Sequence, residues 1–119
     1  MRHIAPLGAV ITAAVLLIVL STPCGAAAKE TVMVAMRDNV KLATDIHLPA
    51  GEGPWPAILM MTPYGRKSAE AVAGEVTQRG YVLVSQDFRG RFDSEGTDYP
   101  VFLHLGWGER QDGYDTIEW

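Results

Sequence analysis

The chain has 119 residues, a one-domain length. Its 48% hydrophobic and 20% charged residues exclude a disordered, highly charged polymer. The formal net charge is −4 and no Lys/Arg-rich run occurs, so nucleic acid is not an expected partner. A single cysteine, Cys24, excludes an internal disulfide and a Cys-rich metal site.

Charge is unevenly placed: all 14 acidic residues lie at or after Glu30. Met1-Arg2-His3 is a short positive start, Ile4 to Leu20 is apolar apart from small or turn residues, and Ala26-Ala27-Ala28 is an A-x-A cleavage pattern. Residues 1–28 therefore read as a secretory signal peptide cut after Ala28, and the protein is expected to be secreted or periplasmic. An uncleaved anchor is the rival reading, but the apolar stretch falls short of the ~20 residues that span a bilayer. No stable membrane association is expected after cleavage. A lipoprotein would need a small residue before Cys24, and Pro23 stands there.

From Thr31 the pattern has period two, with Val32, Val34 and Met36 alternating with Met33, Ala35 and Arg37. After Asp38-Asn39 it resumes as Val40, Leu42, Thr44, Ile46 and Leu48, which predicts a β-hairpin with a two-residue type I′ turn. Pro49 to Pro56 is a Gly/Pro-rich loop. Ala57 to Thr62 is continuously apolar, as in a strand buried on both faces, and ends at Pro63-Tyr64-Gly65-Arg66. A helix is predicted over Ser68 to Arg79, with Ser68 as N-cap, an Ala69, Val72, Ala73, Val76 stripe and Gly80 at C′. Tyr81 to Ser85 reads as a second buried strand, followed by a polar turn, Gln86-Asp87-Phe88-Arg89-Gly90.

Residues 91–111 are irregular, and a last helix is predicted from Asp112 as N-cap, with Tyr114 and Ile117 facing inward. This order of elements predicts an α/β fold with a largely parallel sheet core. The last helix has run about two turns at Trp119, and a parallel sheet needs both faces covered. The expectation is therefore an incomplete piece of a domain, with its buried strand at 57–62 left as an exposed edge.

Few residues stand in a catalytic pattern. No G-x-S-x-G nucleophile turn occurs, and the nearest imitation, Phe92-Asp93-Ser94-Glu95-Gly96, makes Ser94 a loop residue. His47 shares a strand face with Asp45, but a metal pair there would need further ligands, so an ordinary exposed strand face is expected. His104 is expected at the surface. Asp93, Glu95 and Asp98 do not have calcium-loop spacing and read as a solvated acidic turn. The G-x-G steps at Gly51/Gly53 and Gly106/Gly108 do not stand between a strand and a helix, and carry no cofactor signal. Asp87 and Arg89 read as an ion pair shaping their loop. Tyr64 sits at the end of a buried strand, where ligands of open α/β sheets gather. Its hydroxyl there is either a donor to a developing oxyanion or part of a tyrosine that packs a loop.

Four motifs together are familiar. Met36-Arg37-Asp38-Asn39-Val40-Lys41-Leu42-Ala43-Thr44-Asp45 resembles the opening hairpin of the X-Pro dipeptidyl-peptidase family, which includes the cocaine esterases and α-amino acid ester hydrolases. T-P-Y-G-R at 62–66, Q-D-F-R-G-R-F-D-S-E-G at 86–96 and D-G-Y-D-T-I-E-W at 112–119 follow in the family's order. Asn39 departs from the family's usual glycine, which bears only on the turn.

The resemblance implies a partial α/β-hydrolase fold over residues 29–119, lying before the nucleophile elbow, and a Ser-Asp-His triad that falls beyond Trp119. It implies that Tyr64 supplies one oxyanion-hole donor, that no metal or cofactor takes part, and that the parent enzyme takes a small-molecule ester or peptide. The chain is thus expected to be an exported, non-catalytic piece of a serine hydrolase. The alternative is a small secreted binding module derived from the same fold.

Overall fold

The structure is a computed structural model that describes residues 27–97, 100 and 102–119. The expected export signal lies outside them except for Ala27 and Ala28, and so does Asp98 of the acidic loop. Four strands, β1 (Ala28–Ala35), β2 (Lys41–Leu48), β3 (Ala57–Thr62) and β4 (Val82–Asp87), form one sheet in the order β1-β2-β4-β3. The sheet is mixed: β1/β2 and β2/β4 are antiparallel, whereas β3/β4 are parallel and joined through helix α1 (Glu70–Gln78). Helix α2 (Asp112–Glu118) closes the described chain.

Alternation along the strands assigns each helix a face. Leu83 of β4 packs with Ala69, Ala73 and Val76 of the α1 segment and with Met60 of β3. On the opposite face Val34, Met36 and Leu42 form a second cluster with Val32, Val40 and Met61. Helix α2 lies on this second side, where Thr116 Oγ1 donates to Gln86 Oε1 at 2.9 Å.

The hairpin forms where the alternation places it, but its turn is different. The ladder closes at Ala35↔Lys41, and Met36 N donates to Val40 O at 2.9 Å, leaving Arg37-Asp38-Asn39 as a three-residue loop. A type I′ turn needs positive φ at two consecutive residues, and here only Asn39 has it, at 65°. The side chain of Asp38 completes the turn by accepting from Val40 N at 3.3 Å.

Strand β3 is not buried on both faces as its composition predicts: Ala57 and Ile58 are exposed, because β3 stands at the sheet edge with only β4 beside it. The helix of the crossover begins earlier than expected, as a 3-10 turn over Arg66–Ala69 that runs into α1, so Ser68 lies inside the turn and caps nothing. Val72 is exposed, because Ala69, Ala73 and Val76 already define the face turned to the sheet.

Strand β4 runs on to Asp87, so Gln86 and Asp87 belong to the sheet and not to a turn. Both are 0% exposed, and both are hydrogen-bonded, which is what makes a polar residue tolerable there. In α2 the inward face is also not the expected one. Tyr114 and Ile117 are exposed, while Asp112, Gly113 and Thr116 are buried, because a Cβ on Gly113 would stand 2.2 Å from Leu105 O. Only glycine permits that approach of helix to loop.

Candidate active site

Parallel strands β3 and β4 end side by side at Thr62↔Asp87, and the segments that follow them meet. Tyr64, Gly65, Arg66, Lys67 and Ser68 from the first, with Asp87, Phe92 and Asp93 from the second, line an open cleft of about 280 Å³. A cleft outside the carboxyl ends of parallel strands is the general location of ligand sites in open α/β sheets.

Tyr64 is 83% exposed at this cleft. Its backbone N–H donates to Thr62 Oγ1 at 3.1 Å, which tightens the turn just past the strand. Among the described residues its hydroxyl makes no hydrogen bond, so the donor remains available to a ligand. The next residue, Gly65, has φ 98°, and a Cβ there would meet the ring of Phe92 at 3.2 Å. The two strand-end segments thus touch through a glycine and an aromatic ring.

Arg66 is the anchor of this corner, a role the sequence reading missed. Its Nε donates to Asp45 Oδ1 at 3.0 Å, and its Nη1 donates to Asp93 Oδ2 at 2.8 Å and to Asp87 Oδ2. Its backbone N–H donates to Asp87 Oδ1 at 2.5 Å, and its carbonyl accepts from Ser85 Oγ at 2.7 Å. Burial works against the Arg66 charge, yet the hydrogen bonds to Asp93, Asp45 and Asp87 raise its pKa above the ordinary arginine value. Burial likewise pushes the Asp45 carboxyl up, and the donors Thr31, Arg66 and Lys29 outweigh it and hold that carboxyl below its usual value. The available signal was an arginine closing a strand-end motif, in a chain with one aspartate inside β2 and another ending β4.

Asp87 therefore pairs with Arg66 and not with Arg89, contrary to the sequence reading. Arg89 reaches in the other direction, to Asp38 at 2.7 Å and Asp112 at 2.6 Å. Arg37 completes the bracing through Asp115 at 2.6 Å. Each of the four sequence motifs is thus tied by an arginine to another of them.

The remaining candidates have structural partners. Ser94 is 8% exposed, with its Oγ accepting from Ala43 N and donating to Asp87 O, both at 2.9 Å. It takes over where the β2–β4 ladder stops at Thr44↔Gln86, so its hydroxyl is occupied. Asp93 serves Arg66, and Glu95 accepts from Lys41 N at 3.0 Å, so the acidic segment is a brace more than a solvated turn. His47 is buried, contrary to the expected exposed face, because β1 and α1 lie against it; among the described residues its Nε2 has no hydrogen-bond partner. His104 is half-buried and not fully at the surface. Among the described residues no three His, Cys, Asp or Glu side chains are grouped to hold a metal ion. No helix among them is long and apolar enough to cross a membrane.

This architecture is that of the N-terminal part of an α/β hydrolase, and solved structures match it. An α-amino acid ester hydrolase labelled with selenomethionine superposes with a TM-score of 0.65 at 30% identity, covering 91% of this chain and 22% of that one. An aminopeptidase from a marine sediment archaeon, Thaumarchaeota archaeon, gives 0.62 at 31% identity, covering 82% and 19%. The family model of the X-Pro dipeptidyl-peptidases (S15 family) matches residues 38–119, and the chain belongs to that family. Cocaine esterase of Rhodococcus sp. (strain MB1 Bresler) is 38% identical over 96 residues, which is 76% of this chain and 16% of that protein. The chain spans less than a quarter of the length of each of these relatives.

Proposed function

We propose that these residues form the exported, N-terminal part of a serine hydrolase acting on acyl or peptide bonds, with Tyr64 as one donor of its oxyanion hole. The nucleophile, acid and base come from outside residues 1–119, and neither metal nor cofactor takes part. The observation that carries this reading is the placement of Tyr64: an unengaged hydroxyl at the carboxyl end of β3, on a cleft shared with the segment after β4.

In the reaction a serine hydroxyl, deprotonated by histidine, attacks the carbonyl carbon of an ester or amide. The carbonyl oxygen takes up the negative charge, and the Tyr64 O–H donates to it. That hydrogen bond is stronger to the oxyanion than to the ground-state carbonyl, so it accelerates acylation. Collapse expels the alcohol or amine, and water then hydrolyses the acyl-enzyme through a second oxyanion at the same donor. The names of the relatives, cocaine esterase and α-amino acid ester hydrolase, favour a small-molecule ester substrate.

Tyr64→Phe tests the reading in the protein that carries the nucleophile. The expected result is a fall in kcat of about 10²–10³, with KM changed little. An unchanged kcat would remove Tyr64 from the mechanism. Export is tested by intact mass of the product outside the cytoplasm, with Lys29 expected as its first residue.

A second reading, a small secreted non-catalytic binding module, is favoured by one observation. The arginine braces at Arg37, Arg66 and Arg89 find their carboxylates within residues 38–115. Cooperative thermal unfolding of residues 29–119 alone would support it, and a molten or aggregated product would sink it.

A further inference from the structure

We propose that Arg66 is the positioning residue for Tyr64: it fixes the backbone two residues after the tyrosine to three carboxylates and thereby sets where the phenol stands over the cleft. The proposal rests on the reading of Tyr64 as an oxyanion donor, and it assigns Arg66 a role that acts through Tyr64.

The turn after β3 is also held at Pro63, whose carbonyl accepts from Arg91 Nη1 at 3.4 Å, and at Gly65, whose carbonyl accepts from Ser68 N at 3.0 Å, but neither bond engages Tyr64. Tyr64 is largely solvent-exposed, so packing does not fix its ring. Among the described residues its own backbone N–H is tied to Thr62 Oγ1, on the strand side. On the far side both backbone groups of Arg66 are engaged, the N–H by Asp87 and the carbonyl by Ser85. The guanidinium then spans Asp45 on β2, Asp87 on β4 and Asp93 beyond β4. A planar, forked cation can meet three carboxylates in fixed directions at once, whereas a lysine ammonium on a flexible stem cannot. Gly65 lies between tyrosine and arginine with Phe92 against it, so any drift of Arg66 is passed directly to Tyr64.

The consequence for chemistry is geometric. An oxyanion donor works only when it stands within hydrogen-bond distance of the position the charged oxygen will occupy. Displacement of a catalytic group by about 1 Å can cost on the order of 10²-fold in rate.

Two variants of the full chain test the proposal. Arg66→Lys keeps the buried positive charge and removes the fork. Asp93→Asn weakens one arm of the anchor at a side chain that is 63% exposed, so it spares the core if Arg66→Lys fails to fold. The first readout is 15N relaxation of the Tyr64 and Gly65 amides. In the unaltered chain the order parameters should stand near the rigid value of about 0.85, and in the variants they should fall toward about 0.6 while β4 amides keep theirs. Unchanged order at Tyr64 in a folded variant overturns the proposal.

The second readout is a kinetic cycle in the protein carrying the nucleophile. Arg66→Lys should lower kcat by roughly tenfold or more with little change in KM. In the Tyr64→Phe background it should cost nothing further. Equal losses in both backgrounds would show that Arg66 acts by another route, and would leave Tyr64 in place. If Tyr64→Phe alone were without effect, the oxyanion reading would fall, and the relaxation data would still decide whether Arg66 positions the turn.

Discussion

Arg89 and Asp112 form a two-pronged ion pair, Nε to Oδ2 at 2.9 Å and Nη2 to Oδ1 at 2.6 Å, with side chains only 4% and 5% exposed. The same guanidinium also holds Asp38 in the hairpin turn, so one side chain joins turn, sheet end and last helix. Removing one partner of a buried pair leaves the other charged and unpaired. Arg89→Ala is therefore expected to destabilise the fold by about 3–5 kcal/mol, read from the urea midpoint. An unchanged midpoint would mean that the pair is not a brace.

Two glycines in helices should respond in opposite ways to alanine. Gly113→Ala brings a methyl against Leu105 O and must push α2 from its loop, at a cost of about 1–3 kcal/mol or more. Gly74 lies inside α1, and a Cβ added there would meet nothing within 4 Å, so Gly74→Ala should stabilise by about 0.5–1 kcal/mol. Paired thermal melts check both signs.

At Asn39 the backbone has φ 65°, which β-branched residues avoid. Asn39→Val should cost about 1–2 kcal/mol. Asn39→Gly should be neutral or slightly stabilising. Equal stability of all three forms would show that the turn relaxes to another conformation.

Acid should loosen the fold through its arginine partners. The hydrogen bonds from Arg89 to Asp38 and from Arg37 to Asp115 hold both carboxyls below their ordinary value. Groups with a lowered folded pKa bind fewer protons in the folded than in the unfolded state, so stability rises with pH across that window. Their contribution is complete well above the unfolded value of about 3.9 and is lost as pH falls through the lower folded values. Asp115→Asn should flatten the dependence of the denaturation midpoint on pH below about pH 4, which a series of urea titrations would read. A slope identical to that of the unaltered chain would count against the Arg37–Asp115 link.

The elements legible in the sequence were those with local signals. Alternation from Val32 to Leu48 marked the hairpin, an unbroken apolar run marked β3, and the Ala69, Val72, Ala73, Val76 stripe with Gly80 marked α1, although Val72 is exposed. Four motifs were enough to place the family. What stayed illegible depended on partners distant in the chain. Gln86 and Asp87 look like turn residues until Thr44, Thr116 and Arg66 are known to satisfy them. Asp87 looked like the partner of Arg89, two residues on, because proximity in sequence was the only guide. Tyr114 and Ile117 looked inward by their apolarity, whereas the close approach at Gly113 turned that face away.

The brace at Arg89 also imposes an order on assembly. Asp38 leaves the ribosome first, Arg89 follows, and Asp112 emerges last of the three, so they cannot be joined until nearly the whole described chain exists. Contacts of such long sequence separation form late and set the pace of folding. The hairpin can form early and β4 can pair with it next, but α2, whose Asp112 completes the Arg89 brace, is the last of the described elements to be made.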